Sequence, residues 1–305
     1  MKSVLVCSSS FGYGETKENL DELFRQHDCA AAFSALKDAT QRLGEFDGII
    51  IGTDKADHEL FQSSKRLKAI IKYGAGTDNI DFEAARAHGV RVLSLPAINS
   101  DAVAEMAIGL MLALSRRIVE GDRCIRAGKW QRLIGSPLLG KTLGLIGTGA
   151  IGMSLARFAL CFKMNILAFD LNRNEQLTAL GGRYVPLDDL LEQSDFVSLH
   201  VPLTQSTHHL MGKREFDRMK SNGFLINTSR GPVVDEEALY HALRHKRIAG
   251  AALDVFETEP PFDSKILELD HAVCTPHIAA YTHETLRRMD SECVATLSRA
   301  LHSGE

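Results

Sequence analysis

A glycine-rich turn and a group of polar residues further along the chain have the residue types and spacing that could do chemistry. The turn, GTGAIG at residues 147–152, directly follows the apolar run TLGLI and opens a helical stretch. Such a turn lets the backbone approach a pyrophosphate seated on a helix N-terminus. We assign Gly147 to the tight turn, Gly149 to the close approach and Gly152 to helix–strand packing. The pattern predicts a dinucleotide-binding site.

Asp170, at the end of the next apolar run, is the acidic residue that such a site needs. Its carboxylate would accept hydrogen bonds from the adenosine ribose and would repel a 2′-phosphate. The predicted cofactor is therefore NAD rather than NADP, although the nearby Arg173 favours the opposite choice.

Four polar residues follow the ends of three later predicted strands, namely Arg230, Asp254 with Glu259, and His277. Ligands of open parallel sheets bind beyond the carboxyl ends of the strands, so these residues are expected beside a nicotinamide. Arg230 would hold a substrate carboxylate by a bidentate fork. His277 would exchange a proton with a carbonyl oxygen, and a neighbouring carboxylate would orient its imidazole. The set indicates hydride transfer on a 2-oxo acid; the alternative is a purely structural group, because spacing alone does not prove convergence.

Three other patterns are better explained without a ligand. Residues 135–142, GSPLLGKT, match a phosphate-binding loop, but a strand rather than a helix is predicted after them, so no nucleoside triphosphate site is expected. The pairs His241/His245 and His208/His209 have no acidic partner at metal-ligand spacing. We therefore expect no metal site.

The composition is typical of a globular protein and argues against several function classes. The 305 residues are 45% hydrophobic and 24% charged, with a net charge of -4, which is too balanced for a nucleic-acid or membrane-surface binder. At about 150 residues per domain, two domains are expected. Six scattered cysteines without a C-x-x-C pair predict free thiols. These features predict a cytoplasmic protein with no nucleic-acid or membrane partner.

Short apolar runs alternate with helical stretches, which predicts an α/β protein with parallel sheets. Helical apolar spacing from 102 to about 126 predicts one long helix that links two groups of strands, with Trp130 packed against it. The predicted strands are 4–7, 48–51, 69–71 and 90–95, then 142–146, 165–169, 196–200, 223–227, 250–255 and 272–275.

Several strings together resemble the D-isomer-specific 2-hydroxyacid dehydrogenase family, and most of all its D-3-phosphoglycerate dehydrogenase branch. They are GKTLGLIGTGAIG, HVPLTQST, LINTSRGPVVDEEAL, AALDVFETEPP and TPHIAAYT, with LKAIIKYGAGTDNID and NSDAVAEMAIGLMLALSRR upstream. The resemblance implies two doubly wound parallel-sheet domains with a cleft between them. The first is a flavodoxin-like substrate domain, 1–99 plus 283–305, and the second is a Rossmann NAD domain, 100–282.

Carried over to the matching positions, the resemblance implies roles for individual residues. Arg230 becomes the substrate-binding arginine, Glu259 the acid paired with the histidine, and His277 the general acid/base. Asp254 would hold the nicotinamide carboxamide. The implied cofactor-binding set is Gly147, Gly149, Ala150, Ile151, Gly152, Asp170, Val201, Pro202, Thr228, Ser229, Asp254, Ala279 and Val103. The implied substrate-binding set is Lys72, Tyr73, Gly74, Ala75, Gly76, Asn99, Arg230 and His277.

The resemblance also implies a homodimer formed through the NAD domains. The apolar helix at 102–117 either lies at that interface or is buried within its own subunit. A small 2-hydroxy or 2-oxo acid is the expected partner molecule.

Substrate choice is open at this point. The first prediction is a D-3-phosphoglycerate-dehydrogenase-like enzyme of serine biosynthesis. Lys72 stands where such an enzyme often has arginine, which keeps the charge and loses the fork. Lys55 and the loop at 8–12 would bind a phosphate or second carboxylate, unless that loop is a solvated serine turn. The alternatives are a glyoxylate or hydroxypyruvate reductase and, from another class, an NAD-sensing corepressor-like binding protein.

Overall fold

The computed structural model describes residues 1–303, which form two compact units. One contains Met1–Asn99 together with the chain from Tyr281 onward, and the other contains Ser100–Ala280. Each unit has one sheet in which every strand pair is parallel, with helices on its faces. This confirms the predicted fold class of two parallel-sheet α/β domains.

The first unit has a five-stranded sheet in the order β2-β1-β3-β4-β5, the flavodoxin-like order. Its isoleucine-rich strands are buried on both faces, and alternate residues belong to two cores: Ile50 and Ile71 to one, Ile49 and Ile70 to the other. The strands are β1 Lys2–Val6, β2 Cys29–Phe33, β3 Gly48–Ile51, β4 Ala69–Lys72 and β5 Arg91–Leu93. The helices are α1 Lys17–Gln26, α2 His58–Ser63, α3 Phe82–Ala87 and, at the end of the chain, α11 His283–His302.

The second unit has a seven-stranded sheet in the order β12-β11-β10-β9-β6-β7-β8. The strand order reverses between β6 and β9, which is the switch point at which a doubly wound sheet binds its ligand. The strands are β6 Thr142–Ile146, β7 Asn165–Phe169, β8 Arg183–Tyr184, β9 Phe196–Leu199, β10 Phe224–Asn227, β11 Gly250–Leu253 and β12 Ala272–Cys274. The helices are α4 Ser100–Ser115, α5 Ile118–Arg126, α6 Ala150–Cys161, α7 Glu175–Ala179, α8 Leu187–Gln193, α9 Lys213–Arg218 and α10 Glu236–Arg244.

The prediction of one long helix from 102 to about 126 is wrong. Arg117 adopts a left-handed conformation, with φ of 53°, which ends α4 and starts α5 in a new direction. Helix α4 contributes Ala104, Ala107 and Met111 to the core of its own unit, so its apolar face is buried there. Trp130 is 84% exposed and does not pack against this helix as expected.

Within residues 1–303, no helix is long and apolar enough to cross a membrane. All six cysteines are free thiols in the structure.

Candidate active site

The turn between β6 and α6 requires glycine at two positions for steric reasons. Gly147 has φ of +97°, and a Cβ there would lie 2.4 Å from the carbonyl oxygen of His200. A Cβ on Gly152 would lie 2.2 Å from the carbonyl oxygen of Gly147. A Cβ on Gly149, the N-cap of α6, would meet no protein atom within 4 Å. The turn is therefore closely packed inside and open in front of the helix N-terminus.

This open face fits the pyrophosphate of a dinucleotide. Ala150 and Ile151 are in the first turn of α6, where backbone N–H groups have no intrahelical acceptor. Those amides and the helix dipole favour an anion in the space in front of Gly149. The buried Thr228 hydroxyl has no hydrogen-bond partner within residues 1–303, so a polar group at the end of β10 is also left for a ligand.

Asp170 is held as a carboxylate just after β7. Its Oδ2 accepts hydrogen bonds from the Thr148 amide at 2.6 Å and the Thr148 hydroxyl at 3.0 Å, and its Oδ1 accepts from the Asn172 amide at 2.9 Å. Burial alone raises its pKa, but the hydrogen bonds from Asn172 and Thr148 outweigh burial and lower it. The residue is thus ionised beside the dinucleotide turn.

Four other expected cofactor residues, Val201, Pro202, Thr228 and Ser229, lie just after the ends of β9 and β10. Val201 is half-buried and Pro202 exposed, and they follow His200, a half-buried histidine whose pKa is lowered to about 4 by desolvation of its ring. Ser229 is fixed by its amide and hydroxyl, which both donate to the Asn227 side chain, at 3.0 and 2.8 Å. Val103 is a buried core residue of α4.

Glu259 and His277 form a direct pair. Nδ1 of His277 lies 2.8 Å from Oε2 of Glu259, while Oε1 of Glu259 accepts a hydrogen bond from the Phe256 amide at 3.2 Å. Burial raises the pKa of Glu259, but the His277 contacts, the Phe256 amide and the charge of Arg230 together lower it. His277 has φ of 54°, so its side chain leaves the loop after β12 from a left-handed backbone.

Arg230 lies close to this pair because two loops touch through a glycine. A Cβ on Gly231 would lie 1.9 Å from the backbone of Phe256, so the loop after β10 packs directly on the loop that carries Glu259. The Arg230 guanidinium donates to the Ser229 carbonyl at 2.7 Å, and the Asn227 side chain donates to the Arg230 carbonyl at 2.9 Å. The structure therefore brings together an arginine, a carboxylate and a histidine.

Asp254 is hydrogen-bonded to the loop that carries His277. It is fully buried, and its oxygens accept hydrogen bonds from the Thr275 hydroxyl at 2.6 Å, the Ile278 amide at 2.9 Å and the Ala279 amide at 2.8 Å. Burial outweighs these contacts and raises its pKa. The carboxylate expected at the nicotinamide thus faces the protein interior here and fixes the backbone that follows His277.

In the first unit, the side chains of Lys72 and Tyr73 face inward. The Lys72 ammonium donates to the Gly52 carbonyl and, at 3.0 Å, to the Asn79 side chain, and the residue is only 8% exposed. The Tyr73 hydroxyl donates to Asp290 at 2.6 Å. Contacts inside the unit therefore hold both side chains, and their assignment to substrate binding stays a prediction.

The backbone that follows Lys72 and Tyr73 is open. Gly74 has φ of +136° with nothing within 4 Å of its Cβ position, and Ala75 and Gly76 follow on the surface of the unit. The side-chain oxygen Oδ1 of Asn99 is buried without a hydrogen-bond partner within residues 1–303.

The loop at 8–12 is packed rather than solvated. Ser8 is buried, the Ser10 hydroxyl contacts the Tyr281 hydroxyl, and the Gly12 amide donates to the Asp290 carboxylate at 3.2 Å. Asp290 itself is buried, and burial raises its pKa. A loop amide that meets a carboxylate offers less to a phosphate than the serine-rich sequence suggests.

The remaining sequence patterns carry no ligand geometry. Residues 135–142 lead into strand β6, and no helix begins behind them as a phosphate-binding loop requires. In the part of the chain that the structure describes, no three His, Cys, Asp or Glu side chains are arranged to hold a metal ion.

The chain is similar to known proteins over most of its length. Residues 108–279 match the family described as D-isomer specific 2-hydroxyacid dehydrogenase, NAD binding domain. The chain is 44% identical over 274 residues to a glyoxylate reductase of Korarchaeum cryptofilum, covering 87% of this chain and 82% of that protein. It is 44% identical over 263 residues to a hydroxypyruvate reductase of Thermotoga maritima, covering 84% and 85%.

Two further matches bear on substrate and cofactor. A D-3-phosphoglycerate dehydrogenase of Archaeoglobus fulgidus is 43% identical over 245 residues, but the match covers only 46% of that protein. The crystal structure of a D-lactate dehydrogenase from Aquifex aeolicus complexed with NAD and lactic acid is similar with a TM-score of 0.87 and 31% sequence identity, covering 97% of this chain and 94% of that one.

Proposed function

We propose, for a chain that belongs to the D-isomer specific 2-hydroxyacid dehydrogenase family, the NADH-dependent reduction of a small unphosphorylated 2-oxo acid, with glyoxylate and hydroxypyruvate as first candidates. The enzyme class and the cofactor, NAD, follow from the family. The observation that carries the proposed catalysis is the contact of 2.8 Å between His277 and Glu259 beside Arg230.

His277, Glu259 and Arg230 each have a separate role in the proposed reaction. When bound, NADH supplies the hydride that adds to C2 of the oxo acid. His277 donates a proton to the carbonyl oxygen, so that the carbonyl becomes a hydroxyl. Glu259 accepts the hydrogen bond from Nδ1, which fixes the imidazole and leaves Nε2 for the substrate. Arg230 binds the substrate carboxylate through its planar guanidinium.

Two observations favour an unphosphorylated acid over phosphoglycerate. The relatives matched over most of their length are glyoxylate and hydroxypyruvate reductases, whereas the phosphoglycerate dehydrogenase is matched over less than half of its own length. Two of the expected phosphate ligands also have other partners, since Lys72 donates to Gly52 and Asn79, and the Gly12 amide donates to Asp290. The third, Lys55, is exposed.

A substrate panel tests the proposal. We would follow nicotinamide absorbance with glyoxylate, hydroxypyruvate, pyruvate, 2-oxoglutarate and phosphohydroxypyruvate, and compare kcat/KM. Glyoxylate or hydroxypyruvate should exceed phosphohydroxypyruvate by at least about tenfold, since a charge without a partner site costs more than about 1.4 kcal/mol. Preference for the phosphorylated acid would restore the phosphoglycerate assignment. NADH binding without turnover of any acid would favour the sensor alternative.

The expected homodimer is proposed through a different segment from helix α4. Large apolar side chains remain exposed on α5 and on the chain just after it, which is unusual for the surface of a monomer. They are Ile118, Ile125, Trp130, Ile134 and Leu139, each at least 55% exposed. A second copy of the chain, contacting the same segment, would bury them.

The dimer is tested by light scattering on the full chain. The double substitution Trp130→Glu with Ile134→Glu should convert a dimer to a monomer, because it places charges in an apolar contact. Phe262→Glu is the matched control, since Phe262 is 83% exposed but lies outside this segment. A wild-type protein that is monomeric, or a double variant that stays dimeric, contradicts the proposal.

A further inference from the structure

Tyr184 of the edge strand β8 lies under the turn that carries Asp170. Its hydroxyl accepts a hydrogen bond from the Asn174 amide at 2.7 Å and contacts the Thr148 hydroxyl at 2.8 Å. The Thr148 hydroxyl in turn donates to Asp170 Oδ2 at 3.0 Å. The tyrosine hydroxyl therefore links Thr148 of the dinucleotide turn, and through it Asp170, to Asn174 at the start of α7.

The ring of the same tyrosine holds the basic residue of this turn. The Arg173 guanidinium carbon lies 5.7 Å from the centroid of the Tyr184 ring, within the range of a cation–π contact. Arg173 is otherwise exposed, and Tyr184 is half-buried. The Arg173 guanidinium is thus positioned over the ring of a residue of strand β8.

Asp170 keeps its negative charge without a cationic side chain. Its partners are the amides of Thr148 and Asn172 and the Thr148 hydroxyl, and within residues 1–303 it forms no ion pair. Arg173 is only three residues further along the chain, and a flexible arginine at that distance is a natural partner for a carboxylate. The stack on Tyr184 is the contact that competes with such a pair.

We propose that Tyr184 is a specificity-determining residue of the cofactor site, because its ring holds Arg173 away from Asp170 and so preserves the charge that rejects a 2′-phosphate. Released from the ring, Arg173 would pair with Asp170 or bind the 2′-phosphate directly. Both events weaken the preference for NADH over NADPH. Pairing of Arg173 with Asp170 would also occupy the carboxylate oxygens that otherwise accept hydrogen bonds from the ribose hydroxyls.

The test measures binding of NADH and NADPH to the full-length enzyme by nicotinamide fluorescence, with no oxo acid present, so it is independent of the proposed substrate. Tyr184→Leu removes the ring and should lower the ratio of the NADPH Kd to the NADH Kd by about threefold, and by no more than about tenfold, as expected for an exposed cation–π contact exchanged for an ion pair. Tyr184→Phe keeps the ring and loses only the hydroxyl, so the ratio should change by less than about twofold.

Arg173→Gln separates the stack from other effects of the tyrosine. Alone it should leave the ratio within about twofold, because the stacked cation does not act on the cofactor in the wild type. Combined with Tyr184→Leu it should abolish the loss of selectivity. A loss that persists without Arg173, or an equal loss in Tyr184→Phe, overturns the proposal. If Tyr184→Leu does not fold, Tyr184→Met takes its place, since it also removes the ring, and an unchanged ratio in that variant overturns the proposal. A rise in the ratio in Arg173→Gln overturns it as well, because it would show that Arg173 already assists NADPH binding.

Discussion

Replacing Glu259 with glutamine tests whether its charge, rather than its shape, supports the reaction. Glutamine has nearly the same size and offers a carbonyl oxygen to Nδ1 of His277, but it has no charge to stabilise the imidazolium form of the proton donor. Reduction of the oxo acid begins from that form. We therefore expect a lower kcat/KM with little change in the Kd for NADH.

The magnitude follows from the exposure of the pair. A hydrogen bond to a charged group contributes about 1.5–3 kcal/mol. The side chains of His277 and Glu259 are 42% and 33% exposed, so solvent screening favours the lower part of that range. At 1.36 kcal/mol per factor of ten in rate, kcat/KM should fall about ten- to fiftyfold.

The loop that carries Glu259 offers a matched control. Glu257 also pairs with a histidine at 2.8 Å, through Nε2 of His209, and its other partner is the Glu236 amide rather than His277. Glu257→Gln therefore removes the same kind of contact from the same loop. Stopped-flow or steady-state kinetics on both variants, with fluorescence titration of NADH, separate a catalytic effect from a general disturbance of the loop.

The pH dependence of the effect has a definite sign. The pKa of Glu259 is lowered, because the His277 contacts, the Phe256 amide and the charge of Arg230 outweigh the effect of burial. Its stabilising charge is therefore complete above the ordinary pKa of a glutamate and is lost as the pH falls through the lowered pKa. The difference between wild type and Glu259→Gln should persist at mildly acid pH. A kcat/KM within twofold of wild type, or an equal loss in Glu257→Gln, would refute the assigned role.

Three further predictions concern substrate binding and folding. Arg230→Lys should raise KM for the oxo acid about tenfold with NADH binding intact, since a lysine loses the bidentate fork; steady-state kinetics with unchanged KM would remove the residue from the carboxylate site. Gly231→Ala should lower the free energy of unfolding by about 1–3 kcal/mol, because its Cβ would lie 1.9 Å from the Phe256 backbone, whereas Gly109→Ala, with nothing within 4 Å, should not destabilise the protein in the same urea titration. Burial raises the pKa of Asp290, so the folded state loses stability as the pH rises from the ordinary aspartate pKa to the raised one; Asp290→Asn should lose that dependence, which unfolding at several pH values would check.

The dinucleotide turn was predictable because its requirements are local. Gly147 and Gly152 each exclude a side chain through atoms only a few residues away or at the end of the adjacent strand, and the apolar run before them marks a buried parallel strand. The isoleucine runs of the first sheet are predictable for the same reason, since both faces of each strand are covered.

Weak local signals explain the elements that were missed or joined. Strand β2 has the sequence CAAAF, whose alanines favour no strand, and it forms because it pairs with β1. The break at Arg117 lies in the sequence LSRRI, residues 114–118, which contains no glycine or proline, so no residue type there predicts it.

The fates of four carboxylates show why residue type alone does not predict a role. Asp170 and Asp254 both accept three hydrogen bonds from the protein, yet the pKa of Asp170 is lowered and that of Asp254 is raised. The difference is burial, because Asp254 is completely enclosed and Asp170 borders solvent. The pKa of Glu259, which is partly exposed beside His277, is lowered like that of Asp170. The pKa of Asp290, which is enclosed under the loop at 8–12, is raised like that of Asp254. The two with lowered pKa values stand where a charge would meet cofactor or substrate, and the two with raised values hold the loops on which such contacts depend. Burial is set by residues distant in the chain, so this division becomes visible only in the folded structure.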